Sequence, residues 1–320
     1  MREPFMFAQT SADPTTFDLQ FIAGGQLYRY GLSLDDHHIR EEWLAKIDDG
    51  SERLVYERVT DADGTVGINA GKSEHFEKFS GCLRTARPDR TFLETVRNSA
   101  DIPCLRDVLV WFDSLWNIEP ERRFGKELLQ VFDTFRPFAE LVLKEASTGV
   151  DGIDVTNGLK PGGLTKLAPE RVVQTLHNHI RLPLEEESDG TLRLLDLAAV
   201  LYLMEGIEPL TSTCFVDEIE RSLHPMLVRK FLESFFRLPS NRCQLIATTH
   251  DSNLLDTDLF RRDEIWFVEK DAQGSSHLYS LSDFPVRNSP IKKHYLEGRF
   301  GAIPFLGGME RLMPKEPTLK

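Results

Sequence analysis

Short runs in which apolar and polar residues alternate open the chain. The runs TTFDLQFI, QLYRYGLSL, EEWLAKI and ERLVYERV are separated by turn residues such as Gly24-Gly25, Asp48-Asp49-Gly50 and Asp61-Ala62-Asp63-Gly64. Alternation with a period of two, broken at turn formers, predicts an antiparallel meander. From Phe76 to about Ala146 the period lengthens. DVLVWFDSLW and ELLQVFDTFRPFAELVLKEA carry apolar residues at helical spacing. GVDGIDVTNGLKPGGL follows and reads as a loop too rich in glycine to be core. From about Val172 the rhythm changes again. TLRLLDLAAVLYLME predicts a strongly apolar helix, TSTCFVDE a short strand ending in two acids, and HPMLVRKFLESFFR a helix with Pro225 at its start. CQLIATTH and DEIWFVEK predict two more strands. Strands alternating with helices predict a parallel sheet with helices on its faces. The closing MPKEPTLK reads as a loose tail.

Composition narrows the classes. In 320 residues, 41% are hydrophobic and 28% charged, the balance of a soluble globular protein with a sizeable core. No apolar run is long enough to span a membrane or to serve as a signal peptide, which predicts a cytoplasmic protein. The formal net charge of −13 argues against non-specific coating of nucleic acid, and the basic runs from Arg84 to Arg90 and at Arg261-Arg262 read as solvated loops. Cys82, Cys104, Cys214 and Cys243 show no paired spacing; Cys214 and Cys243 read as small core residues. Trp266 and Phe267 read as core.

Four features of the second half carry candidate chemistry. Ser188-Asp189-Gly190-Thr191 opens the apolar helix, where free amides and the positive helix end face an anion; an ordinary N-cap is the alternative. In TCFVDEIERSLHP, Asp217 and Glu218 end a buried strand and project into the crevice where α/β folds bind ligands. Asp217 is placed to hold magnesium and Glu218 to deprotonate an attacking water, or the pair merely caps the next helix. Ser222-Leu223-His224-Pro225 forms a turn that reaches a neighbouring subunit or simply starts a helix. His250 closes a second strand in QLIATTHD, where its imidazole can donate to a phosphoryl oxygen or sit as a satisfied loop residue. His177-Asn178-His179 has a spacing that on a strand points both rings to one face, with no metal-binding partner evident in sequence.

Taken together, these residues resemble the ABC-type ATPase heads of SMC-like, RecF-like and OLD-like proteins, and most closely the bacterial AAA-type ATPases of abortive-infection and phage-defence loci. ESDGT stands at the signature motif, FVDEIERSLHP at the Walker B strand and D-loop, and LIATTHD at the switch-histidine strand. RRDEIWFVEKD and YLEGRFGAIPF look like the family's C-terminal pattern, and the opening meander resembles its β-lobe. The resemblance implies an α/β, P-loop-NTPase-type head with three parts: an antiparallel β-lobe over 1–75, a helical insertion over 76–170, and a C-terminal lobe with a mostly parallel sheet over 171–320. It implies ATP and Mg2+ as cofactors, with Asp217 serving the metal, Glu218 as catalytic base and His250 as γ-phosphate sensor. Ser188, Gly190 and Thr191, with Ser222 and His224 of the D-loop, would meet nucleotide held by the opposite subunit of a dimer.

The phosphate-cradling G-x-x-x-x-G-K-[ST] loop of that family is not found. The nearest look-alike, Gly67-Ile68-Asn69-Ala70-Gly71-Lys72-Ser73, has its glycines one residue too close, and it reads as a β-lobe turn. Three expectations follow: the chain is a fragment or starts late; a chain bearing the Walker A loop pairs with it; or it is a degenerate, non-hydrolysing member that binds a partner nuclease or complete paralogue.

Overall fold

The computed structural model describes residues 3–4, 13–70, 76–99, 102–119, 123–162, 166–206, 212–238, 243–285 and 290–303. The Gly71-Lys72-Ser73 end of the glycine look-alike, the Pro304-Phe305 end of the C-terminal pattern and the MPKEPTLK tail lie outside them. Two units divide the chain, Met1–His250 and Asp251–Lys320.

The opening meander folds as its alternation requires. Strands β1 (Thr15–Ala23), β2 (Gln26–Leu34), β3 (Ile39–Asp48), β4 (Ser51–Thr60) and β5 (Val66–Asn69) form one five-stranded antiparallel sheet in chain order. The β1–β2 and β3–β4 turns carry left-handed residues, Gly24 and Gly25 in one and Asp49 and Gly50 in the other. Gly67, Ile68 and Asn69 are ladder residues of β5, with Gly67 opposite Val59, and so part of an antiparallel strand. One face of the sheet packs on helices α1 (Phe76–Cys82), α2 (Phe92–Ser99) and α3 (Arg106–Asp113) through Phe21, Tyr56, Phe79 and Phe92. Phe21 stacks on Trp111 of α3 at 4.0 Å between ring centroids. Buried Glu42 accepts the amides of Phe92 and Leu93 at the start of α2 and the hydroxyls of Tyr30 and Tyr56, so a carboxylate fixes that helix to β3.

The expected helix over DVLVWFDSLW ends early. Ser114 returns its amide to Val110, and Leu115–Ile118 leaves as strand β6. Its continuation divides into α4 (Phe124–Val131) and α5 (Phe135–Glu145). GVDGIDVTNGLKPGGL is not a loop: Gly152–Gly162 is strand β7, which pairs with β8 (Lys166–His177), and β8 with β9 (Ile180–Pro183). Its composition suggests a turn, but Val150 and Ile153 are buried and the ladder supplies its backbone with partners.

Helix α6 (Asp189–Gly206) has ten consecutive buried residues, 191–200, because α4, α5 and α7 (Pro225–Phe236) all pack on it. Strands β10 (Ser212–Val216) and β11 (Cys243–Ala247) are parallel and joined through α7, and β6 completes a parallel sheet of order β11-β10-β6. The fold is thus a mixed α/β fold with antiparallel sheets and one parallel sheet.

The second unit holds the hairpin β12 (Trp266–Lys270) and β13 (Ser276–Ser280) and helix α8 (Ile291–Leu296). DEIWFVEK is therefore an antiparallel strand paired with β13. Phe267 is core, stacked on Tyr295 and Phe300, but Trp266 is 55% exposed: the pleat that buries one turns the other outward. Among the described residues no helix is long and apolar enough to cross a membrane.

Candidate functional site

Val216 and Ala247 are register partners in the parallel pair β10–β11, so the residues that follow each leave the sheet at the same edge. Asp217 is exposed there and Glu218 half-buried. Thr248, the first residue beyond β11, ties the two acids together. Its hydroxyl donates to Asp217 Oδ1 at 2.5 Å and accepts the Glu218 amide at 2.8 Å, and its carbonyl accepts the Ile219 amide at 3.0 Å. Glu218 sits at φ +46°, a left-handed conformation that costs a non-glycine residue on the order of 1 kcal/mol and persists only where neighbours hold it. Its carboxylate meets Arg221 at 3.5 Å, a half-exposed pair of little net value. His250 lies two residues past Thr248 and donates its amide to Glu220 Oε1 at 2.7 Å. The acid pair and the imidazole thus leave from one sheet edge.

The glycine turn joins the same place. Ser188 caps α6: its Oγ accepts the Thr191 amide at 3.1 Å and bonds the Thr191 hydroxyl at 2.9 Å. Gly190 lies against the turn that follows the acids, where a Cβ would stand 2.8 Å from the Ser222 carbonyl oxygen. Ser222 is itself left-handed at φ +60°. His224 caps α7 by accepting the Met226 amide on Nδ1 at 3.2 Å, with Pro225 at the first helical position. Ser188 and His224 serve as local caps, with Thr191 the residue whose amide Ser188 accepts, while Gly190 and Ser222 join the helix start to the acid turn within one chain.

Beneath the turn runs a polar seam that the motifs do not mark. Arg193, 3% exposed, sends Nη2 to the carbonyls of Asp217 (2.5 Å) and Glu218 (2.9 Å). Asp196, 1% exposed, accepts the Gly125 amide at 2.8 Å, and burial pushes its carboxyl up to about 6. Burial likewise lowers the Arg193 guanidinium, opposed by the charges of Asp196, Asp217 and Glu220. The sequence signal was present: two charged residues spaced i, i+3 inside an otherwise apolar helix. Thr248 and Glu220 lie inside the LIATTHD and FVDEIERSLHP runs beside the candidate residues.

The His177/His179 pair does not share a strand face. His177 ends β8 while Asn178 and His179 form the left-handed turn to β9, at φ +47° and +73°. His177 Nε2 meets Glu187 Oε1 at 2.6 Å, a hydrogen bond that raises the imidazole above its usual range. Among the described residues no group of three His, Cys, Asp or Glu side chains could by itself hold a metal ion. Arg87 pairs with Asp89, Arg90 with Glu94, and Arg261 with Asp263 and Glu264.

Comparison with known proteins places a family match over this region. Residues 120–256 match the family described as "AAA domain, putative AbiEii toxin, Type IV TA system". The segment takes in β10, α7, β11 and every candidate site residue. No curated protein matches the chain. Among solved structures, the chain is similar to an SMC head bound to the C-winged helix domain of ScpA, at 15% identity and TM-score 0.36, covering 76% of this chain and 75% of that one. It is also similar to the SMC head domain from Thermotoga maritima, at 18% identity and TM-score 0.32, covering 80% of this chain and 74% of that one.

Proposed function

We propose that the chain is an ATP-binding head that hydrolyses ATP at a composite site, with Glu218 as the base that activates water. The observation that carries this reading is the Asp217-Glu218-Thr248-His250 group at one edge of a parallel sheet, inside the segment similar to an AAA-type ATPase family. Charge at such an edge is directed toward the crevice beyond the strand ends. Asp217 presents an exposed carboxylate already oriented by Thr248. That donor fits Mg2+, which takes one or two protein carboxylates and completes its oxygen shell with phosphates and water. When bound, the cation would neutralise charge on the transferred phosphoryl group. Glu218 would accept the water proton, and His250 would donate to the transferred oxygens.

Phosphate binding also needs a cradle of backbone amides, and the sequence holds no G-x-x-x-x-G-K-[ST] loop. Among the described residues no glycine-rich loop follows β6, β10 or β11. The reading therefore includes a partner polypeptide bearing the G-x-x-x-x-G-K-[ST] loop, which a second copy of this sequence would not supply. Ser188, Gly190, Thr191, Ser222 and His224 would face the nucleotide of that partner. The same gap favours the second reading, a non-hydrolysing head that binds a partner nuclease or complete paralogue. The sequence resemblance to ATPases of abortive-infection and phage-defence loci motivates a place in anti-phage defence.

The test is ATP turnover and nucleotide affinity of the full chain, alone and with a loop-bearing partner, beside Glu218→Gln. The expected outcome is a loss of about a hundredfold or more in kcat with nucleotide binding retained, the size of effect that removing a positioned base produces. Equal turnover in both forms, or no nucleotide binding under either condition, leaves the interaction protein as the better account.

A further inference from the structure

The turn that carries Glu218 is held from two sides, and only one of them lies in the motif. On the strand side, three amides are bonded: Asp217 to the Ile118 carbonyl at 3.2 Å, Glu218 to the Thr248 hydroxyl and Ile219 to the Thr248 carbonyl. On the helix side, the carbonyls of Asp217 and Glu218 converge on one nitrogen of Arg193. Two successive carbonyls can share a donor only where the backbone curls, and Glu218 is curled, at φ +46°. The guanidinium is buried, and its Nε and Nη1 have no hydrogen-bond partner among the described residues. A buried cation with unmet donors is costly; along α6 it lies among buried Leu192, Leu194 and Leu195, with the opposite charge of Asp196 one turn on. A leucine there would serve packing better. What Arg193 provides is a rigid link between the acid turn and the first turn of α6, where Ser188, Gly190 and Thr191 stand.

We propose that Arg193 is a positioning residue for Glu218, clamping the 217–218 carbonyls so that the carboxylate keeps its aim, and linking that aim to the N-terminus of α6. The inference rests on the reading of Glu218 as the hydrolytic base. A shift of the helix start moves the guanidinium with it, and the clamp passes that shift to the turn. Occupation of the α6 N-terminus by a phosphate from a partner chain would thereby register at the base.

The experiment compares the full-length chain with Arg193→Met and Arg193→Lys. One readout is amide hydrogen exchange at Asp217, Glu218 and Ile219, with the β3 and β4 amides as reference. The other is ATP turnover and affinity under the conditions in which the wild type is active. Arg193→Met is expected to speed exchange at the three turn amides by about tenfold or more while β3 and β4 stay unchanged. It is also expected to lower kcat by about tenfold with affinity changed less than about twofold, since the lost interaction acts through the base and not through binding. Arg193→Lys, which can still reach one carbonyl, is expected to recover part of both. Unchanged turn exchange in both variants overturns the clamp. So does a rise shared equally by β3 and β4, which marks general loss of packing, and so does a lysine variant no better than methionine in either readout. If the wild type turns over no ATP with any partner, the catalytic half falls together with the proposed function, while the exchange contrast still decides whether Arg193 holds the turn.

Discussion

At Asp196, burial opposes ionisation. Its carboxyl is pushed from 3.8 to about 6, even though the Gly125 amide and the nearby Arg193 charge both favour the ionised form. Between these two values the folded chain binds the proton more tightly than the unfolded chain does. This contribution to stability is therefore complete at low pH, is lost as pH rises from about 4 through about 6, and is flat above. Its full size is about 2–3 kcal/mol. Asp196→Asn keeps an oxygen for the Gly125 amide and removes the titration. Urea midpoints for both forms from pH 4.5 to 7.5 should show the variant gaining on the wild type as pH rises. A constant difference across that range would exclude the burial argument. Other carboxylates titrate in both forms and cancel in the comparison.

Among the elements, β10 shows how differently the two faces of one strand are used. Cys214 and Val216 are buried, and burial pushes the Cys214 thiol up to about 12. Phe215 between them is 40% exposed, and its register partner Ile246 on β11 is 43% exposed. Val216→Ala removes buried methyl groups and should cost about 1–3 kcal/mol. Phe215→Ser removes a larger side chain, about three fifths of whose surface leaves water on folding, and should cost a comparable amount, about 2–3 kcal/mol. Urea denaturation of the two variants checks both figures, and a loss at Phe215 well above about 3 kcal/mol would mean that this face is covered further in solution. The same pleat explains the misjudged Trp266, exposed beside the buried Phe267.

For the whole molecule, legibility followed the range of the interactions. The β-meander, α6, α7, β10 and β11 could be read because each follows from local periodicity and turn chemistry. So could the common edge of Asp217, Glu218 and His250, which needs only two neighbouring strands. Pairing at long range could not be read. Leu115–Ile118 continues an apolar helical pattern, and only β10, about a hundred residues on, makes it a strand. The β7 ladder overrides a glycine-rich composition in the same way. Arg193 and Thr248 act through backbone atoms of residues far along the chain, and no motif records that. The net charge of −13 acts at this scale as well. Fluorescence anisotropy with a short random-sequence duplex at about 0.15 M salt should give no saturable binding at micromolar protein, since self-repelling acidic surfaces release no counterions. Tight, salt-sensitive binding would reveal a basic face hidden by the average.

The sheet order β11-β10-β6 also bears on how the first unit assembles. Thr213 meets Gln244 across about thirty residues, and meets Leu115 only across about a hundred. The short loop closes at lower entropic cost, so the β10–α7–β11 unit can form as a local nucleus. A ribosome, however, releases β6 first, and that strand lacks its sheet partner β10 until most of the first unit has emerged. The acid turn would then take shape among the last-made residues of that unit, and β6 would dock afterwards onto a template already carrying Asp217 and Glu218.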